Sequence, residues 1–223
     1  MSKDNRQATP AKKKVVRSKQ GVKAETKQAD WKADNTYPYL KVEVTKLFPR
    51  SYTVYGAARA GGTMIPVLYA RRTPFLPRKR LRFYSDPEHK NLVFQFQARV
   101  PWVTAVTYDI VDVKDGTLGS FSKNLGKNFA NAEFKLETPY LRATGKDTQS
   151  MINAFRRVVN FGGDVNFIFF LENTKLVAHI TREWEADDPY MVELEKFSDG
   201  RQLDWRVGAS IACGLDMLLN RSI

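Results

Sequence analysis

The chain of 223 residues is 43% hydrophobic and 12% aromatic, and it carries a formal net charge of +12. Its length suits one folded domain, its aromatic content excludes disorder throughout, and its single cysteine, Cys213, excludes a disulfide scaffold or a cysteine-based zinc site. The charge predicts an anionic partner, for which nucleic acid and lipid headgroups are both open.

A basic arm opens the chain. Residues 1–32 hold ten lysines and arginines against three acidic residues, and large apolar side chains are nearly absent before Trp31. Such a segment cannot bury enough apolar surface to offset its ordering entropy, so we predict that it is disordered. Its densest charges are Lys12, Lys13 and Lys14. They suit either a tether to a membrane or nucleic acid, or a tail that only aids solubility.

From Tyr37 onward, apolar and polar side chains alternate with the period of a half-buried strand. The clearest predicted strands lie at 39–45, 92–98, 117–123, 165–171, 176–182 and 190–194. Another strand is predicted at 103–113, where a change of phase at Ile110 and Val111 indicates a bulge. The residues Asp112–Gly116 then predict a hairpin turn. Ten to twelve short strands in all predict an antiparallel barrel or sandwich, and closure into a barrel would remove exposed edges.

Two segments have helical periodicity. Ser150 can cap a short helix that runs through Val159. A second helix, predicted at 203–220, is apolar on nearly every side, as fully buried helices are. As a membrane anchor it would place Arg206 and Asp216 in lipid, at a cost of about 2.5–3.5 kcal/mol each. We therefore place this helix inside the barrel.

The chain has no apolar segment near its N-terminus that resembles a secretory signal. Its longest apolar stretch, Val207–Leu215, has nine residues, whereas a membrane-spanning helix needs about 20. We therefore expect a cytoplasmic protein, whose contact with a membrane would be peripheral.

Several segments carry a resemblance to a known family. They are Tyr108–Asp112, Asp115–Lys123, Val177–Trp184, Asp188–Val192, the Asp199–Gly200 turn and the apolar helix through Asp216. In pattern and order they resemble the tubby-like superfamily and, within it, the phospholipid scramblase and plant LURP-one-related branch. The resemblance covers residues 37–223. It implies a mainly β fold, a closed antiparallel barrel of about twelve strands around a buried C-terminal helix, and association with lipid for some members.

A second concentration of charge lies inside the predicted barrel. Residues 41–82 hold ten basic residues against one acidic residue, Glu43. The densest portion is Arg71, Arg72, Arg78, Lys79, Arg80 and Arg82. Because the planar guanidinium pairs bidentately with phosphate, this block predicts a phosphate-binding surface. A solvated loop that only aids solubility is the open alternative.

Motifs that would indicate an enzyme are absent from the sequence: no nucleotide-binding loop, nucleophile elbow or zinc-protease motif occurs. His89, in a predicted turn, and His179, on a predicted strand, lack the spacing of metal ligands. Asp109, Asp112 and Asp115 are spaced by three without an EF-hand pattern, and we interpret them as strand and turn residues. No catalytic site, metal or cofactor is therefore predicted.

Together these features favour a non-enzymatic protein that docks on anionic phospholipid through its basic arm and basic face. A nucleic-acid-binding module is one alternative, because the chain is strongly basic. Lipid scramblase activity itself is the other, because of the resemblance. The aromatic residues are predicted at core-facing strand positions, which argues against a platform for stacked bases. Protein partners are not predicted.

Overall fold

The computed structural model of the chain describes residues 36–45, 50–72, 80–99, 107–124, 133–147, 165–171, 175–182 and 189–219. Three predictions concern other residues: the basic arm with Lys12, Lys13 and Lys14, the short helix at 150–159, and the placement of Arg78 and Lys79. These lie outside the described residues.

Twelve strands form one closed antiparallel barrel. Each strand pairs with its neighbours in sequence, and the last strand pairs with the first. The strands are β1 (Tyr39–Thr45), β2 (Ser51–Ala57), β3 (Ile65–Arg72), β4 (Arg80–Tyr84), β5 (Leu92–Ala98), β6 (Thr107–Asp112), β7 (Gly116–Asn124), β8 (Glu133–Glu137), β9 (Arg142–Asp147), β10 (Val165–Leu171), β11 (Lys175–Arg182) and β12 (Tyr190–Leu194). The predicted fold class, a mainly β chain closed into an antiparallel barrel of about twelve strands, is confirmed.

The alternating side chains explain the orientation of the strands. In β5, Phe94, Phe96 and Ala98 are buried in the core, whereas Gln95 and Gln97 are half-buried on the outer side. Successive side chains of a strand point to opposite faces of the sheet, so one parity fills the barrel. Aromatic rings pack against one another in the interior: Phe96 stacks on Tyr108 with ring centroids 4.5 Å apart.

The pair β6 and β7 contains a bulge and a tight turn, both at positions that the sequence predicts. The register of this pair shifts between Ile110 and Val111, so the predicted bulge is confirmed. The turn into β7 places Gly116 at a φ of +77°, a conformation that glycine adopts at no steric cost. Only the part of the predicted strand 103–113 from residue 107 onward is described, and it ends at Asp112.

One helix, α1 (Trp205–Leu219), fills the barrel. Every residue from Trp205 to Asp216 is buried. It contacts opposite walls: Arg206 binds Asp112 of β6, whereas Gly208 packs against Leu194 of β12, six strands away around the barrel. The helix begins two residues later than predicted and is described as far as Leu219; the predicted end at residue 220 lies outside the described residues.

Close approach of the barrel wall explains the small residues of α1. A Cβ added to Gly214 would lie 2.8 Å from the ring of Phe96, closer than two carbon atoms can approach without displacement. The helix is therefore a core element rather than a membrane anchor. Among the described residues, no helix is both long and apolar enough to cross a membrane.

Candidate anion-binding surface

Three of the predicted arginines come together on the outer side of β3 and β4, and a fourth lies beside them at the end of β3. Arg71 and Arg82 lie directly opposite each other on the two strands, which places their Cβ atoms about 5 Å apart. Arg80 precedes Arg82 by two residues and shares its outward side, since Leu81 and Phe83 are buried. Arg72 is exposed at the end of β3. We call these four residues the arginine face.

The arginine face lacks compensating acidic residues. The residues opposite Arg71, Arg80 and Arg82 on the flanking strands are neutral: Ser51, Gln97 and Gln95 respectively. None of the four arginines forms an ion pair with another described residue. Like charges placed directly opposite each other on a sheet are destabilising, so this cluster reduces stability in the isolated protein.

Two other basic residues on the barrel surface have acidic partners. Nζ of Lys41 lies 2.7 Å from Oε1 of Glu43, and Arg99 binds both carboxylate oxygens of Asp109. The hydrogen bond to Asp109, followed by the negative charge of that carboxylate, raises the pKa of the Arg99 guanidinium. The arginine face therefore differs from these two sites in pairing, since no described acidic residue binds its guanidinium groups.

Two Nε atoms of the arginine face are buried without a hydrogen-bond partner in the described part of the chain. In both Arg80 and Arg82, Nε is inaccessible to solvent and has no hydrogen-bond partner among the described residues. A buried donor without a partner costs free energy. Because both Nε atoms are covered, an external anion would meet the terminal guanidinium nitrogens, which also carry N–H donors.

Four tyrosines correct one sequence prediction. The aromatic residues were expected at core-facing positions, but four tyrosines point outward and are half-buried: Tyr39, Tyr55, Tyr69 and Tyr84. Tyr69 and Tyr84 lie opposite each other, two residues from Arg71 and Arg82 on the same outer side. The even spacing from those arginines in the sequence was the signal that could have revealed them.

A buried ion network joins α1 to the end of the barrel at which β2 begins and β3 ends. Asp216, only 1% exposed, accepts hydrogen bonds from Arg50, Arg182, Tyr52 and Tyr190 at 2.9–3.5 Å. Burial, followed by the charge of Asp216, raises the pKa of the Tyr52 and Tyr190 hydroxyls, which therefore remain donors. Arg50 thus has an acidic partner, unlike Arg72. The two residues are neighbours, since the backbone carbonyl of Arg50 accepts the backbone N–H of Arg72.

The other end of α1 is fixed by a second network. Arg206 donates to Asp112, Asp115 and Asp204 at 2.8–3.1 Å. Asp109, the third of the evenly spaced acids, binds Arg99 instead. These aspartates thus hold guanidinium groups, and the described residues include no group of His, Cys, Asp or Glu that could hold a metal ion.

The two histidines occupy separate parts of the barrel. His89 lies in the turn between β4 and β5, where its ring packs edge-on against Tyr84, and His179 lies on β11. The described residues also line an open cavity of about 460 Å³ beside the pairing of β1 with β12. Its lining combines Arg59 and Lys196 with Glu193 and Glu195, so it presents no excess of positive charge to an anion.

The thiol of Cys213 gives a test of the buried helix. It is fully buried, and burial, with the charge of Asp216, raises its pKa. Because the thiolate is the reactive form, we expect a thiol reagent at neutral pH to modify native protein far more slowly than protein in denaturant. Cys213→Ala provides the background rate. Equal rates with and without denaturant would contradict the burial of this helix.

Comparison with known proteins identifies no relative. A scan against protein-family models and a search of curated proteins both found no match for this chain. The fold and surface therefore define a class only: an antiparallel barrel filled by its C-terminal helix, with one unneutralised arginine cluster on its outer side.

Proposed function

We propose that this protein docks on anionic phospholipid through the arginine face, without catalysing a reaction, and that it is related to the tubby-like superfamily in its scramblase and LURP-one-related branch. The observation that carries the proposal is the cross-strand pair Arg71 and Arg82, which lacks any acidic partner among the described residues. The barrel with its central helix supports the proposed kinship, since the resemblance implies that fold. Docking would take place peripherally, at the cytoplasmic side of a membrane.

The shape of the arginine face favours an extended anionic surface. The four side chains lie on the outer side of two strands and at their ends rather than inside a cavity. A bilayer that contains acidic lipid presents many phosphates at once, and each basic residue near it contributes about 1 kcal/mol at physiological salt. Binding of this kind weakens as salt screens the charges.

Removing the central pair tests this proposal. For Arg71→Gln/Arg82→Gln we expect about 30-fold weaker binding to phosphatidylcholine–phosphatidylserine vesicles, because two contributions of about 1 kcal/mol are lost. Vesicle co-sedimentation at low and high salt measures this, with phosphatidylcholine vesicles as the neutral comparison. The matched control is Arg99→Gln, which removes one exposed guanidinium that Asp109 already neutralises, and we expect less than a threefold change.

Two outcomes would contradict the proposal. One is equal binding of the native protein to neutral and acidic vesicles, and the other is unchanged binding of the double variant. A filter-binding titration with single- and double-stranded DNA and RNA, run on the same variants, covers the alternative partner. Tighter, Arg71- and Arg82-dependent binding to nucleic acid than to vesicles would assign the arginine face to nucleic acid.

A further inference from the structure

The pair Tyr69 and Tyr84 continues the arginine face along β3 and β4. The two tyrosines are directly opposite each other, as Arg71 and Arg82 are. Tyr69 precedes Arg71 by two residues on β3, and Tyr84 follows Arg82 by two residues on β4. Two residues along a strand span about 7 Å. Four side chains therefore form a rectangle on the outer side of the barrel, with two arginines along one edge and two tyrosines along the other.

The chemistry of this rectangle changes from one edge to the other. Tyr69 and Tyr84 are half-buried, and the hydroxyl of neither bonds to another described residue. By contrast, the nearby Tyr55 donates its hydroxyl to Glu43 at 3.0 Å. A phenol with a free hydroxyl has an apolar body and a polar tip, which suits the boundary between headgroups and acyl chains.

We propose that the arginine face and this tyrosine pair form one membrane-docking surface, so that the outer side of β3 and β4 lies against the bilayer. The arginines bind lipid phosphates, and the tyrosine hydroxyls donate hydrogen bonds to oxygen atoms of the same lipid layer. This inference rests on the proposed function. It adds a component of binding that does not depend on salt, because it does not depend on charge.

Two other occupants fit the surface less well. Stacking of nucleic-acid bases requires an open ring face, whereas both rings are half-buried and Tyr84 also packs edge-on against His89 with centroids 5.0 Å apart. A second copy of this chain, seated on the same surface, would bring two sets of unneutralised arginines together. An anionic lipid layer complements the charge and provides hydrogen-bond acceptors.

The test removes only the two hydroxyl groups. For Tyr69→Phe/Tyr84→Phe we expect about 25-fold weaker binding to phosphatidylcholine–phosphatidylserine vesicles at every salt concentration, because two hydrogen bonds are lost and each is worth about fivefold in affinity. The slope of log affinity against log salt is expected to stay unchanged, whereas Arg71→Gln/Arg82→Gln lowers that slope. The control is Tyr55→Phe, whose hydroxyl is already bonded to Glu43 and whose affinity we expect to match the native protein.

The outcomes separate this inference from the proposed function. If the arginine variant binds weakly and the tyrosine variant binds like the native protein, the tyrosine pair has no part in docking and the inference is wrong. If neither variant changes vesicle binding, the proposed function fails as well. If the tyrosine variant weakens binding to nucleic acid but not to vesicles, the surface is one for nucleic acid. Circular dichroism of each variant confirms that the barrel is intact.

Discussion

Replacing Asp216 by alanine is expected to lower the free energy of unfolding by about 3–5 kcal/mol, the usual cost of removing one partner from a buried ion network. The carboxylate is 1% exposed and binds two arginines and two tyrosine hydroxyls. Without it, the Arg182 side chain, which is only 10% exposed, keeps its charge and loses the buried carboxylate that it binds. The Tyr52 and Tyr190 hydroxyls lose their acceptor in the same step.

Thermal unfolding measures this effect. For a chain of this length, a loss of 3–5 kcal/mol corresponds to a Tm lower by about 10 °C. The matched control is Asp109→Ala, which removes a carboxylate from the outer side of β6, where Arg99 is 58% exposed; we expect a loss below about 1 kcal/mol. Asp216→Asn keeps the volume but not the charge, and it should fall between the two. Similar Tm values for Asp216→Ala and Asp109→Ala would show that the buried network contributes little.

Elements with local sequence patterns were predicted well. Alternation in 39–45 and 92–98 gave the bounds of β1 and β5, because inward and outward side chains follow from the period of the strand itself. The bulge at Ile110 and Val111 was visible as a break in that period. The all-apolar surface of α1 indicated a buried helix, because such a helix can only be covered on every side.

Contacts across the barrel could not be predicted in the same way. Arg50 and Asp216 are 166 positions apart in sequence and meet only because the barrel closes around α1. The density of arginines at 71–82 was apparent in the sequence, but the placement of Arg71 opposite Arg82 depends on the register between β3 and β4. The same register brings Tyr69 to Tyr84. The sequence therefore predicts an anionic partner, and the register of β3 and β4 shows which of the predicted arginines lie side by side.

Replacing Arg206 by methionine is expected to lower the free energy of unfolding by about 3–5 kcal/mol, as Asp216→Ala does. Here the substitution removes a buried positive charge instead of a negative one. Burial lowers the pKa of this guanidinium, but hydrogen bonds and charge from Asp204, Asp115 and Asp112 outweigh it and raise the pKa overall. The arginine therefore stays charged, and its removal takes the guanidinium away from two buried carboxylates: the side chains of Asp112 and Asp204 are 3% and 0% exposed.

A second substitution distinguishes charge from packing. Asp112→Asn in the Arg206→Met background removes one of the two carboxylates that have lost the guanidinium. We therefore expect it to restore part of the lost stability in that background. In the native protein, Asp112→Asn alone is expected to be destabilising. If Asp112→Asn changes the free energy of unfolding with opposite signs in the two backgrounds, the difference is the coupling free energy between Arg206 and Asp112. Urea unfolding of the four proteins measures it, with Arg142→Met, whose side chain is 85% exposed, as a control within about 0.5 kcal/mol of the native protein. Additive effects would mean that Arg206 stabilises α1 by packing its aliphatic stem rather than by neutralising the aspartates.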